Sequence, residues 1–346
     1  MKVWMARAGS KGQSENIALD NGVACIGWGE VPDLSGTQTK DDVLNLLHQS
    51  YKDTAKADSE RRLANYVSQL WAFSHLIQKD DLVVLPLKTR FMIAIGICTG
   101  KYQHRPEFGS EASHTIPVQW IKTDIPRTSF KQDLLRSFGA FMTVCQIKRN
   151  GALNRVQAVL NGLSDPGYED ERELVVPSDT EESEPFDVEE YAVDRILGYI
   201  EDKFHGHDLA RLVGAVLEAQ GYFVQVSTPG PDGGVDILAS AGDVGFGDPK
   251  MCVQVKATQG ATDVRVLREL IGTMNSFGAD KGLLVSWSGF TGPMEKEARL
   301  KFFCVRLWNA RDLLNVIVRN YDRLSADVQA ELPLKQVWTL IEPEEG

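Results

Sequence analysis

Residues 165–190 read DPGYEDERELVVPSDTEESEPFDVEE, and this stretch constrains the fold more than any other. It holds 12 of the 48 acidic residues, one of the 37 basic ones, and Pro166, Pro177 and Pro185. A segment so charged buries too little apolar surface to offset the entropy of ordering it, and its like charges repel. The chain is therefore expected to fold as two domains: residues 1–155, a linker over 156–186, a second domain over 187–320, and a tail over 321–346. The same stretch accounts for the net charge of −11, because the remaining residues carry 36 acids and 36 bases. Global acidity thus excludes nothing about a nucleic-acid partner.

No stretch approaches the roughly 20 apolar residues of a membrane span, and MKVWMARAGS has no apolar signal-peptide core, so a cytoplasmic protein is expected. Cys25, Cys98, Cys145, Cys252 and Cys304 lack C-x-x-C spacing and are expected as reduced, mostly buried thiols. In the first domain KVWMARA, VACIGWG, DLVVLPL, RFMIAIGICTG and TIPVQWI read as strands, and FGAFMTVCQI at 138–147 as a closing core strand. RRLANYVSQLWAFSHLIQ places Leu63, Tyr66, Val67, Leu70, Trp71 and Ile77 on one helical stripe. Many short strands around one or two helices predict a curved, barrel-like sheet. The second domain reads α-β-β-β-α-β-α-β, a mixed sheet flanked by helices, with Asp263 as a helix N-cap and a loop at 241–250.

One constellation carries chemistry. After the PGPDGG turn comes Asp236, and 18 residues later CVQVK places Gln254 and Lys256 on one face of a strand, with Val253 and Val255 on the other. If the two strands are antiparallel neighbours, Asp236 lies beside Gln254 and Lys256. A carboxylate, an amide oxygen and the Val255 main-chain carbonyl are hard oxygen donors of the type Mg2+ accepts. Such an ion acidifies water and stabilises charge on a phosphate oxygen, and Lys256 could orient the water or neutralise the transition state. Gly233 and Gly234 permit positive φ in the turn. The same residues also suit an ordinary hairpin and an exposed Gln-x-Lys pair on an edge strand.

HDLARLVGAVLEAQGYFVQV, GPDGGVDILAS, CVQVK, VLRELIGTM and GADKGLLVSWSGFT, spread over about 205–310, resemble the Mrr-like restriction endonucleases. These belong to the PD-(D/E)xK superfamily, in a branch whose second acidic position is glutamine. The resemblance implies that Asp236 is the metal-binding aspartate and that Gln254 and Lys256 form the QxK pair, with Mg2+ as cofactor or Mn2+ in its place. Many relatives carry a further glutamate on the first helix, where this chain has Ala210. Asp208, next to His207, is a candidate substitute and equally a helix cap. WMARAG, CIGWGE, QLWAF and DLVVLP resemble the PUA-like and EVE-type domains fused to bacterial restriction proteins. That likeness implies an aromatic site for a flipped, modified base, with Trp28 first, since its flanking glycines would leave its face open, and Trp71 second. Phe73 and Trp120 are ambiguous between base and core, and Lys88, Arg90 and Arg105 are candidate phosphate contacts.

The expected architecture is therefore α+β or α/β: a PUA-like, β-barrel-like domain joined to a mixed-sheet PD-(D/E)xK nuclease. The expected function is a Mg2+-dependent, type IV-like endonuclease that cuts DNA carrying a modified base, in restriction or phage defence, with no membrane partner. A double-strand cut would favour a homodimer. A nuclease for RNA or damaged DNA, and a non-catalytic nucleic-acid adaptor on a degenerate nuclease fold, are the alternatives.

Overall fold

The computed structural model describes residues 1–50, 60–139, 142–167, 188–228, 234–242, 244–258 and 260–338. Most of the acidic linker and the PGPDG part of the turn, Gly233 included, lie outside the described residues. The chain divides into two compact units, Met1–Ile125 with Ser129–Tyr191, and Pro126–Thr128 with Ala192–Ile341. The architecture is α+β, with one sheet in each unit.

In the first unit β1 (Val3–Ala6), β2 (Val23–Ile26), β3 (Leu82–Leu87), β4 (Met92–Cys98), β5 (Gln103–His104), β6 (His114–Pro126) and β7 (Val144–Gln146) form a half-barrel sheet. Its strand order is β2-β6-β4-β3-β1-β7, with β5 paired to β6. β1 runs parallel to β3 and antiparallel to β7. Strand alternation divides the apolar residues between two cores. Trp4, Ala6 and Val83 pack with Val43 and Leu47 of α2 (Lys40–Ser50) and with Tyr66, Val67 and Leu70 of α3 (Glu60–Trp71). Val3, Met5, Leu82, Val84, Ile93 and Ile95 pack with α4 (Gln132–Phe138) and α5 (Ala152–Leu160). Strands covered on both faces read as continuous apolar runs, which is why β3 is buried throughout.

The expectation of one or two helices is corrected here. A short α1 (Glu15–Asp20) joins α2 to α5, and the region read as a closing strand at 138–147 holds the end of α4 and the three-residue β7. α1 and α4, at six and seven residues, span too few turns for a 3.6-residue period to stand out. α5 runs beyond residue 155 and carries the most buried cation of the unit. Arg155, 2% exposed, donates from Nε and Nη2 to Asp165 at 2.6 and 2.7 Å and from Nη2 to Asp133 at 2.9 Å. Asp165 also accepts Lys131 N at 2.8 Å and Gly167 N at 2.9 Å, so the first residue of the acidic stretch is fixed in place. Gly96 of β4 marks a close approach. A Cβ there would lie 2.5 Å from Val118 Cγ1, 2.7 Å from Gln119 O and 2.9 Å from Trp120 Cε3. Gly96→Ala is expected to destabilise the unit by about 1–3 kcal/mol, read as a lowered thermal midpoint.

In the second unit α6 (Val188–Lys203) and α7 (His207–Ala219) precede β8 (Phe223–Val226), β9 (Ile237–Ala241) and β10 (Gly247–Lys256). α8 (Val264–Phe277), β11 (Lys281–Ser286), α9 (Gly292–Arg299), β12 (Val305–Asn309), α10 (Ala310–Asn320) and α11 (Ala326–Glu331) follow. The sheet order is β12-β11-β10-β9-β8, antiparallel from β8 to β10 and parallel from β10 to β12. The expected loop at 241–250 is shorter, because β10 starts at Gly247 and reaches register with β9 through a bulge between Gly247 and Lys250. Asp263 caps α8, its Oδ1 accepting Arg265 N at 2.8 Å. Gly282 approaches Met274 and Leu270 of α8, so Cys252 and Leu284 on that face close a core under this helix. Gly214 of α7 approaches Val224 and Val226 and covers the other face. The tail docks on α6 and α7: Tyr199 Oη donates to Glu331 O at 2.9 Å, and Arg211 Nη2 holds Glu331 Oε2 at 2.6 Å. Cys25, Cys98 and Cys252 are buried, whereas Cys304 is exposed.

Candidate active site

β9 and β10 are antiparallel neighbours, with Val253 opposite Ile237. The register therefore carries Asp236 to the level of Gln254. Asp236 N donates to Val253 O at 3.0 Å, and Asp236 Oδ2 accepts Val255 N at 2.7 Å. β9 begins one residue after Asp236, so β10 runs on past the end of its partner there. Within a strand the N–H and C=O of one residue point the same way. The Val255 carbonyl thus faces the same open edge as the N–H that holds the Asp236 carboxylate. Gly234, just before, has φ +85°, the left-handed backbone the turn was expected to need.

Gln254 and Lys256 share the face of the sheet that α8 covers, since Cys252 pairs with Gly282 and Gln254 with Leu284. Lys256 is half-buried at the strand end. Gln254 is only 6% exposed, and its Oε1 has no hydrogen-bond partner. An unpaired buried amide oxygen costs about 1–3 kcal/mol, so a group that satisfies it is favoured at this point. A divalent cation fits that donor chemistry, with Asp236, Gln254 and the Val255 carbonyl as oxygen donors. Among the described residues no group of three or more His, Cys, Asp or Glu could hold a metal, so such an ion would rely on this mixed donor set.

The remaining candidates are placed as follows. Ala210 is buried in α7. Asp208 is exposed in the first turn of α7, makes no side-chain cap, and pairs with Arg211 at 3.4 Å. Trp28 is not open-faced: it is 6% exposed, and its ring meets Tyr66 edge-on at 5.7 Å. Its flanking glycines do not expose it because the residue itself takes φ 64° and turns inward, where His114 Nε2 donates to its carbonyl at 3.2 Å. Burial, chiefly, pulls the His114 imidazole down to about 4, so it is neutral at physiological pH. What Trp28 offers is an indole N–H that is buried without a partner. Trp71 is half-buried and stacks on His75 at 3.9 Å. Phe73 is core, and Trp120 is half-buried with Nε1 donating to Ala18 O at 3.0 Å. Lys88 and Arg90 are half-buried in the β3–β4 turn, and Arg105 pairs with Glu107 at 2.9 Å.

Sequence reasoning missed a set of contacts beyond Lys256. Lys256, Thr258 and Thr262 are laced onto 286–291: Trp287 N donates to Lys256 O at 2.9 Å, and Ser288 Oγ to Thr258 O at 2.9 Å. Thr262 Oγ1 and Ser286 Oγ lie 2.7 Å apart, Thr262 N donates to Gly289 O at 2.9 Å, and Thr291 N to Thr262 O at 3.1 Å. The available signal was the run of hydroxyls in SWSGFT, at the end of an otherwise apolar strand.

Residues 201–317 match a family model described as restriction endonuclease, Mrr_cat. The second unit carries an Mrr-type restriction endonuclease domain. The chain thus contains a nuclease, and Asp236, Gln254 and Lys256 all lie inside the Mrr-type match. Residues 2–147 match a domain family of unknown function, DUF8426. None of the curated proteins matches the chain. Among solved structures the chain is similar to the DNA modification-dependent restriction endonuclease AspBHI, 16% identical over 80% of this chain and 74% of that one, with a TM-score of 0.34. MspJI restriction endonuclease in complex with a 27-mer oligonucleotide is 13% identical over 95% and 78%, with a TM-score of 0.33. The protein of unknown function AF1548 is 16% identical over 38% and 78%, with a TM-score of 0.25. Likeness at this level leaves the site to be argued from this chain's own residues. Among the described residues no helix is long and apolar enough to cross a membrane.

Proposed function

We propose that the Mrr-type domain is a Mg2+-dependent, type IV-like endonuclease that hydrolyses DNA phosphodiester bonds, and that the first unit directs it to DNA carrying a modified base, as in restriction or phage defence. The observation that carries the catalytic part is the buried, partnerless Gln254 Oε1 beside an aspartate whose carboxylate the Val255 N–H holds in place. Asp236, Gln254 and the Val255 carbonyl would hold Mg2+ or Mn2+. Bound there, the ion supplies positive charge against a phosphate oxygen and acidifies water. The Val255 N–H fixes the orientation of Asp236 before substrate arrives, so no reorganisation is needed during reaction. Lys256, two residues beyond Gln254 on the same face, brings an ammonium that orients the attacking water or neutralises the phosphate as charge gathers.

Support for the first unit as a modified-base reader is its aromatic core. Trp28 presents a buried indole N–H beside Tyr66, with Tyr102 and the neutral His114 hydrogen-bonded 2.7 Å apart behind it. An extruded base needs both apolar surface and donors for its exposed edge. The test is a cleavage screen of the full chain with Mg2+, Mn2+ or chelator on phage and plasmid DNAs bearing different base modifications, on unmodified DNA and on RNA. Metal-dependent cutting confined to one class of modified DNA is expected. Equal cutting of unmodified DNA, or preference for RNA, overturns the specificity; no cutting of any substrate overturns the enzyme.

A further inference from the structure

Ser286 is the register partner of Lys256 across the parallel β10–β11 pair, and the two side chains share one face of the sheet. Ser286 is buried and has two hydrogen-bond contacts, Gly289 O at 2.8 Å and Thr262 Oγ1 at 2.7 Å. A carbonyl can only accept, so the single Ser286 hydroxyl proton goes to Gly289 O. Thr262 must then donate its own proton to Ser286 Oγ. That uses one of the two Ser286 lone pairs and leaves the second for another donor. Lys256, opposite on the same face, carries three N–H donors and no acceptor. Thr262 cannot drift from this arrangement, because its backbone N–H and C=O are both bonded to the 289–291 turn.

We propose that the Thr262–Ser286 hydroxyl pair is a positioning element for Lys256, presenting an oriented, water-excluded acceptor that sets where the lysine ammonium stands. The proposal rests on the reading of Lys256 as the residue that acts on the scissile phosphate. The hydroxyls of SWSGFT then aim the catalytic lysine and lace its strand end to the next, without touching substrate. An error of about 1 Å in such a group costs up to about 100-fold in rate, whereas binding energy spread over many phosphate contacts is untouched.

The test compares Ser286→Ala and Thr262→Val, which remove the acceptor and its donor, with Thr262→Ser, which keeps the hydroxyl. The full chain is assayed on the DNA that the wild type cuts. Both loss variants are expected to lower kcat about 10- to 100-fold with KM for DNA unchanged, while Thr262→Ser keeps the wild-type kcat. A purely structural role would instead lower the thermal midpoint in both loss variants and move kcat only through the folded fraction. The second readout needs no activity. In reductively 13C-methylated protein, the Lys256 resonance, assigned by its absence from Lys256→Ala, should stand apart from bulk lysine signals and collapse onto them in Ser286→Ala. Unchanged kcat in both loss variants, or a Lys256 resonance that does not move, overturns the proposal. If the wild type cuts nothing, the endonuclease reading fails, and the resonance alone still decides whether the hydroxyls hold Lys256. If Ser286→Ala does not fold, Thr262→Val carries both readouts.

Discussion

Lys256→Ala is expected to abolish cleavage while leaving the protein folded and bound to DNA. Lys256 stands half-buried where β10 outruns β9, at the last position of the strand, so losing its side chain opens no cavity in the core. On the proposed function it would lose a preorganised positive charge at the phosphate, and removing one such group costs about 100- to 1,000-fold in kcat. DNA binding on that reading would involve many phosphates, so the loss of one contact should lower affinity only slightly. Single-turnover cleavage at saturating Mg2+, alongside gel-shift titration, separates the two quantities. Asp236→Asn is the companion variant. It keeps an oxygen to accept the Val255 N–H but removes the negative charge, so cleavage should fall and higher metal concentration should recover part of it. Wild-type cutting by Lys256→Ala would place the nuclease centre elsewhere in the domain.

Arg155→Met is expected to destabilise the first unit by about 3–5 kcal/mol, because it strands a buried carboxylate that the guanidinium now satisfies. For a unit of this size that is about 10 °C or more in thermal midpoint. The pH dependence identifies the cause. Burial alone would raise the Asp165 carboxyl, but hydrogen bonds from Arg155, Lys131 N and Gly167 N outweigh it and hold the group below the ordinary carboxylate range. A carboxyl depressed on folding contributes stability that is complete above its unfolded value of about 4 and is lost as pH falls through the folded value. The Asp165 contribution to wild-type stability should therefore hold from neutral pH to about 4 and drop below it. In Arg155→Met the bare carboxylate is unfavourable at neutral pH, so the gap to wild type should narrow as acid protonates it. A gap constant from pH 7 to pH 3 would show that packing of the long side chain, not its charge, is what matters.

The features legible in the sequence were those that depend on short-range period and capping. Alternation in CVQVK put Gln254 and Lys256 on one face, and the apolar stripe with Asp263 as cap marked α8; both rest on a few neighbouring residues. What depended on distant contacts was not legible. The bulge that lengthens β10 to Gly247 is set by pairing with β9, so the same residues read as loop. The burial of Gln254 follows from α8 covering its face, which the residue type alone argues against. Trp28 between two glycines suggested an exposed ring, yet its left-handed backbone turns it into a core assembled from α2, α3 and β6. The hydroxyl lacing around Thr262 and Ser286 joins segments 24 residues apart, and no local pattern announces it.

The way the last helix is moored has a practical corollary for anyone wishing to transplant the Mrr-type domain onto a different partner domain. Trimming at residue 320, where α10 ends, would strip Arg211 of its Glu331 counter-charge and remove Tyr321, whose hydroxyl ties the chain to Leu332 O at 2.7 Å. It would also remove Val328 and Leu332, both sealed from water in the intact chain. A portable version of the module should therefore extend through Leu334, whose N–H returns to the same tyrosine at 2.9 Å, while the exposed Val337 and Trp338 could be shed.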